Sequence, residues 1–202
     1  MNTKPSMNAR FLATAATLCL LAVGSLSTAK ADIVSSVTDG PLTSNGAFYW
    51  GETLVTTAGG QWDNLSFNFY TASGNPLAAG DIYLLSEQYL GTPSGLSSAT
   101  PGYIAEGSAS GGSYTFGSAV TVTGSTEYWV YTDTALQLTG DANGGEYYFT
   151  SSPNANFAGF PGNDINYTLT GTSVPEPTTP LLLAMMVGLV GLAFHRKFAA
   201  SR

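Results

Sequence analysis

The chain has 202 residues and a formal net charge of −7, and its six basic residues, Lys4, Arg10, Lys30, Arg196, Lys197 and Arg202, all sit near the two ends. Of thirteen acidic residues only Glu176 lies outside residues 32–173, which leaves twelve carboxylates on a stretch with no lysine, arginine or histidine. Such a body repels phosphate backbones and anionic lipid headgroups, so nucleic acid is excluded as a partner, as is acidic polysaccharide without a bridging cation.

Lys4 and Arg10 precede an apolar segment from Phe11 to Leu26, and Ala29-Lys30-Ala31 supplies the small residues of an A-x-A cleavage site. This is the pattern of a secretory signal peptide covering residues 1–31, with cleavage set by Ala29 and Ala31 and a mature chain beginning near Asp32. The single cysteine, Cys19, follows Leu18 inside the apolar segment rather than the small residue a lipidated cysteine needs. A mature chain without cysteine has no disulfide framework in an oxidising compartment, so an apolar core must hold it together.

Residues 32–171 are long enough for one domain with a sizeable core. Short runs alternate apolar and polar residues and lack helical periodicity, the signature of strands. Leu65, Phe67 and Phe69 share one side of a strand, whereas Ile82 to Leu85 is apolar throughout and fits a strand buried on both faces. Further strands are expected over Tyr114 to Phe116, Val120 to Val122, Tyr128 to Tyr131, Tyr147 to Phe149 and Ile165 to Leu169. The separators carry turn chemistry: Gly59-Gly60, Gly74-Asn75-Pro76, Gly111-Gly112, Asn143-Gly144-Gly145 and Pro161-Gly162-Asn163. The expected fold is all-β, a single antiparallel sandwich of jelly-roll or immunoglobulin-like kind. Ser86 to Ala105 is too long and too poor in alternation for a hairpin loop, and reads as an excursion across one end of the sandwich.

Nucleophilic catalysis by serine needs a histidine or lysine base, and residues 32–173 have neither, so no enzyme is expected. Glycoside hydrolysis by two carboxylates is the one common chemistry left open, with no pair singled out. Calcium is the cofactor the donor set allows: Asp141, Asn143 and Glu146 surround two glycines, and Asp164 with Asn163 and Asn166 forms a second oxygen-rich cluster. All eleven tyrosines and all three tryptophans fall within residues 32–173. Tyr and Trp suit the faces of a neutral glycan when exposed and a sandwich core when buried, so Trp50, Trp62 and Trp129 are expected in the core, with a glycan-binding module as the alternative.

From Gly171 the chain runs into Val174-Pro175-Glu176-Pro177, then an apolar stretch from about Thr178 to Phe194, then Arg196, Lys197 and Arg202. Thr179 and Pro180 make a good N-cap and first helical residue. About 15 residues at 1.5 Å rise span roughly 22 Å, a minimal transmembrane helix, and the basic residues after it place the C-terminus in the cytoplasm. This order of parts resembles the PEP-CTERM sorting signal, here over residues 172–202. The resemblance implies a bacterial protein read by an exosortase, an integral membrane protease or transpeptidase-like enzyme, with Pro175, Glu176 and Pro177 as its recognition triplet. An ordinary single-pass anchor is the alternative.

The body is similar to domains found upstream of such signals, on Gly59-Gly60-Gln61-Trp62-Asp63-Asn64-Leu65-Ser66-Phe67, Tyr89-Leu90-Gly91-Thr92-Pro93 and Glu127-Tyr128-Trp129-Val130-Tyr131. That likeness brings no catalytic motif. The expected protein is therefore exported through the secretion machinery, held for a time in the inner membrane, and passed by the exosortase to the cell surface or beyond. There it is structural or adhesive, with extracellular polysaccharide as a candidate partner.

Overall fold

Alternation of apolar and polar residues between glycine-rich turns produces strands almost everywhere in the body. The structure, a computed structural model, describes residues 31–38, 46–142 and 145–174, without the side chains of residues 141 and 142. The described residues form β1 (Ala31–Val37), β2 (Ala47–Val55), β3 (Gln61–Tyr70), β4 (Pro76–Leu77), β5 (Asp81–Leu85), β6 (Tyr103–Ser110), β7 (Ser113–Thr115) and β8 (Val122–Thr123), then β9 (Glu127–Thr132), β10 (Leu136–Gln137), β11 (Gly140–Ala142), β12 (Glu146–Thr150), β13 (Ala158–Pro161), β14 (Asp164–Ile165) and β15 (Tyr167–Val174). The signal peptide and the helix expected near residues 178–194 lie outside the described residues. Among those described, no helix is long and apolar enough to cross a membrane.

Every pairing is antiparallel, and one ladder runs β1-β15-β3-β7-β6-β5-β9-β2-β12-β13, with β11 and β14 forming a separate pair. The all-β antiparallel expectation holds, but the two facing sheets of a jelly-roll or immunoglobulin-like sandwich take another form. Hydrogen bonding does not break between halves: the β6–β7 hairpin carries it round the corner, turning on Gly111 and Gly112 at φ 60° and 87°, backbone that favours glycine. The single sheet curls over its own core. Val34 of β1, Trp50 and Leu54 of β2, Leu65, Phe67 and Phe69 of β3, Ile82 and Leu84 of β5, and Leu169 of β15 all join one buried cluster. Apolar burial on this scale is the main term that holds a cysteine-free domain together.

The curl brings β1 back towards β2, where Thr57 N–H donates to the Val34 carbonyl at 2.7 Å. A bulge at Asn64, which adopts the left-handed φ of 48°, sits where the β3–β15 register shifts and adds to the bend.

As expected, β5 is buried on both faces: Ile82 and Leu84 face the main cluster, while Tyr83 and Leu85 join a second one with Leu96, Tyr131, Tyr148 and Phe157. Leu96 comes from the excursion between β5 and β6, which packs on the outer face of the sheet. Its backbone is tied down by Ser94 N–H to the Pro153 carbonyl at 2.9 Å and by Phe157 N–H to the Gly91 carbonyl at 3.0 Å. One 3-10 turn, Pro93–Gly95, shapes it. The compact unit ends at Val174, three residues beyond the boundary expected at 171, because β15 continues to Val174 and pairs it with Gln61.

Candidate functional site

The sorting residues begin where the fold ends. Val174 closes β15, so no linker residue separates the last strand from Pro175, which has no N–H to continue a ladder. Pro175, Glu176, Pro177, Arg196, Lys197 and Arg202 lie outside the described residues, as does Ala29. Ala31 is the first residue of β1 and pairs with Thr172, so a cut after it leaves Asp32 to Val37 in the strand.

Within the domain, the cleft lies where the curl does not quite close. β12 pairs with β2 from Tyr49 to Glu52, so Thr53 to Val55 present an edge towards β1. The opening there measures about 520 Å³ and is bordered by Ser35 to Val37, Thr53, Val55, Gln88, Glu127, Trp129, Glu146, Tyr148, Asp164 and Tyr167. Gln88 arrives from the excursion, which therefore forms part of the wall. The Tyr148 hydroxyl donates to Glu146 Oε2 at 2.8 Å and accepts from Gln88 Nε2 at 3.0 Å. Burial pushes the Tyr148 hydroxyl above its ordinary pKa. Thr53 Oγ1 and Trp129 Nε1 are buried beside it and, as neighbouring donors, oppose that push. Across the cleft, Tyr167 stacks on Phe67 with centroids 5.4 Å apart and shares a 2.8 Å hydrogen bond with Ser35 Oγ.

At the floor are two carboxylates. Glu52 alternates along β2 with Phe48, Trp50 and Leu54, and so points to the core side, where it is 0% exposed. Its Oε2 accepts the Ile165 N–H at 2.8 Å, and its carboxyl is hydrogen-bonded to that of Asp164. The Asp164 carboxylate lies alongside, buried but bordering the cleft. Burial first, then the neighbouring Asp164 charge, holds the Glu52 carboxyl well above the usual carboxylate range, against the opposing effect of the Ile165 N–H. Gly145 makes room for this arrangement, because a Cβ there would overlap Asp164 Oδ1.

The cleft contains few of the residues singled out in the sequence. Of the calcium set, Glu146 is bonded to Tyr148, Asn143 lies outside the described residues, and the side chain of Asp141 is not described. Among the described residues no three His, Cys, Asp or Glu side chains gather as a metal cluster. Trp50 and Trp62 are buried as expected, whereas Trp129 is half-buried and borders the cleft. Glu52 went unnoticed in the sequence, where its place in line with Phe48, Trp50 and Leu54 is masked by the apolar residues between them.

Comparison with known proteins bears on the terminus. The family model for the PEP-CTERM protein-sorting motif matches residues 173–197. The chain thus carries a PEP-CTERM sorting motif after a strand-rich domain. The motif implies export, membrane-associated sorting towards the cell surface and an exosortase as processing partner. No curated protein and no solved structure matches the chain.

Proposed function

We propose that the chain is a non-enzymatic surface or matrix protein, delivered by an exosortase and structural or adhesive once released. One observation carries the reading: a sorting motif at residues 173–197 follows directly on β15 of a domain with its own core. During transit the basic residues after the apolar stretch hold the C-terminus on the cytoplasmic side, leaving the domain on the other. Cleavage near Pro175 to Pro177 then frees an acidic domain without a hydrophobic tail. In support of a non-enzymatic role, residues 32–173 supply no histidine, lysine or arginine to act as base or clamp.

The glycan-binding alternative is favoured by one feature, the cleft in which Trp129, Tyr148 and Gln88 meet beside the Thr53 hydroxyl. Against a broad glycan platform, the exposed large apolar residues among those described are Ile33, Val55, Leu90 and Phe160, with no Tyr or Trp among them. The structural role therefore stands first.

The test is a double substitution, Pro175→Ala with Pro177→Ala, followed by immunoblotting of inner-membrane and extracellular fractions. The wild-type chain is expected outside the cell and the variant in the membrane. Equal release of both contradicts exosortase recognition through this triplet.

A further inference from the structure

We propose that the cleft binds one pyranose unit of a neutral polysaccharide, with Trp129 as the stacking face and Gln88 and Glu127 as acceptors for sugar hydroxyls. This rests on the adhesive side of the proposed function and names the ligand class through which it acts.

Strand register sets the apolar part of the site. Trp129 of β9 lies opposite Thr53 of β2, and Glu127 lies opposite Val55, so these four side chains share one face of two paired strands. Val55 is 58% exposed and Trp129 is half-buried, and both border the cleft. Trp129 Nε1 is buried beside the Tyr148 hydroxyl, and the backbone of Trp129 is paired with Thr53 on one side and Leu85 on the other. What Trp129 shows to the cleft is therefore ring carbon, next to an exposed valine.

The polar rim is held in place. Gln88 Nε2 donates to the Tyr148 hydroxyl at 3.0 Å, which leaves Gln88 Oε1 to accept from a ligand. The next residue is tied to the sheet, since the Tyr89 N–H donates to the Tyr131 hydroxyl at 3.1 Å. Glu127 is exposed on the same face as Trp129. An apolar patch bordered by acceptors calls for a ligand with a carbon face and several O–H donors, which describes a pyranose. The opening of about 520 Å³ falls within the roughly 300 to 1,000 Å³ of small-ligand sites. Carboxylates at Glu127 and Glu146, with no basic residue among 32–173, turn away uronic and sulfated sugars.

The experiment titrates the full chain, held in a detergent without a sugar headgroup, by calorimetry and tryptophan fluorescence. The probes are neutral tetrasaccharides of glucose, mannose, galactose and N-acetylglucosamine, with tetragalacturonate as the anionic control. At least one neutral probe is expected to bind saturably and shift the emission through Trp129, because Trp50 and Trp62 are buried. The galacturonate is expected to give no signal. Gln88→Ala and Trp129→Leu are expected to weaken binding at least about tenfold, and Phe160→Ala, which lies outside the cleft lining, to leave it unchanged. Circular dichroism establishes that the variants fold; Gln88 is exposed, so Gln88→Ala decides if Trp129→Leu does not fold. No saturable binding of any neutral probe at about 10 mM, tighter binding of the galacturonate, or undiminished binding by either folded cleft variant overturns the site. So does loss with Phe160→Ala alone, which moves the sugar to another face. A negative titration leaves exosortase sorting intact, and a failure of sorting leaves the titration unaffected, so the two readings fail separately.

Discussion

Glu52 concentrates the domain's electrostatic tension in one side chain. It faces Asp164, the hydroxyls of Tyr131 and Tyr167 lie within its field, and the Ile165 and Thr53 N–H groups oppose the upward push on its pKa. Because the folded-state pKa lies above the ordinary value of 4.5, the stability linked to this group is fully present below that value and is lost as pH rises through the raised one. The domain is therefore expected to lose stability as pH rises above the ordinary value of 4.5. Glu52→Gln keeps an acceptor for the Ile165 N–H and adds a donor towards Asp164. It should raise stability at pH 8 by about 1 to 3 kcal/mol and flatten that decline, as read by denaturant melts at several pH values. A variant less stable than wild type at pH 8 would contradict this account. Leu65, Phe67 and Phe69 were legible in the sequence because one face of β3 is buried and the other half-buried. Glu52 was not, because β2 is covered on both faces over Tyr49 to Leu54, which blurs the alternation that marks a carboxylate as core-facing.

β15 is the element that joins fold to function. It lies between β1 and β3 in the ladder, is the only strand among the described residues with which β1 pairs, and reaches Val174. A chain ending at Val174 is expected to melt within about 1 °C of the processed protein, since no ladder residue is lost. Ending it at Asn166 strands β1 and uncovers Phe67, and should abolish the cooperative transition in thermal scans. Survival of that shorter chain with a normal Tm would mean that β15 is dispensable.

The long strands and most turns could be read from periodicity and glycine, but β4, β8, β10 and β14 are two-residue bridges, too short for any period. The excursion was recognisable by length. Its contact with the outer face was not, because Leu96, Phe157 and Tyr131 meet only through tertiary packing. The cleft was equally hidden, since it arises where the curled sheet stops short of closing.

At the scale of the whole molecule, charge and hydropathy divide the chain into parts with separate duties. Basic residues occur only at the termini, and the domain between them is wholly acidic in its charged side chains, which favours solubility after release and disfavours retention on anionic membranes. N-terminal sequencing of exported protein is expected to begin near Asp32; a chain that retains Lys4 and Arg10 would contradict signal cleavage. The central claim is that the motif at residues 173–197 routes the domain outwards and is removed on the way. Intact-mass analysis of the extracellular fraction, from cells with and without the exosortase, tests it most directly. The account predicts a released species that ends within Pro175 to Pro177 when the enzyme is present, and no released species when it is absent. Extracellular protein that keeps Arg196, Lys197 and Arg202 in both strains would contradict it.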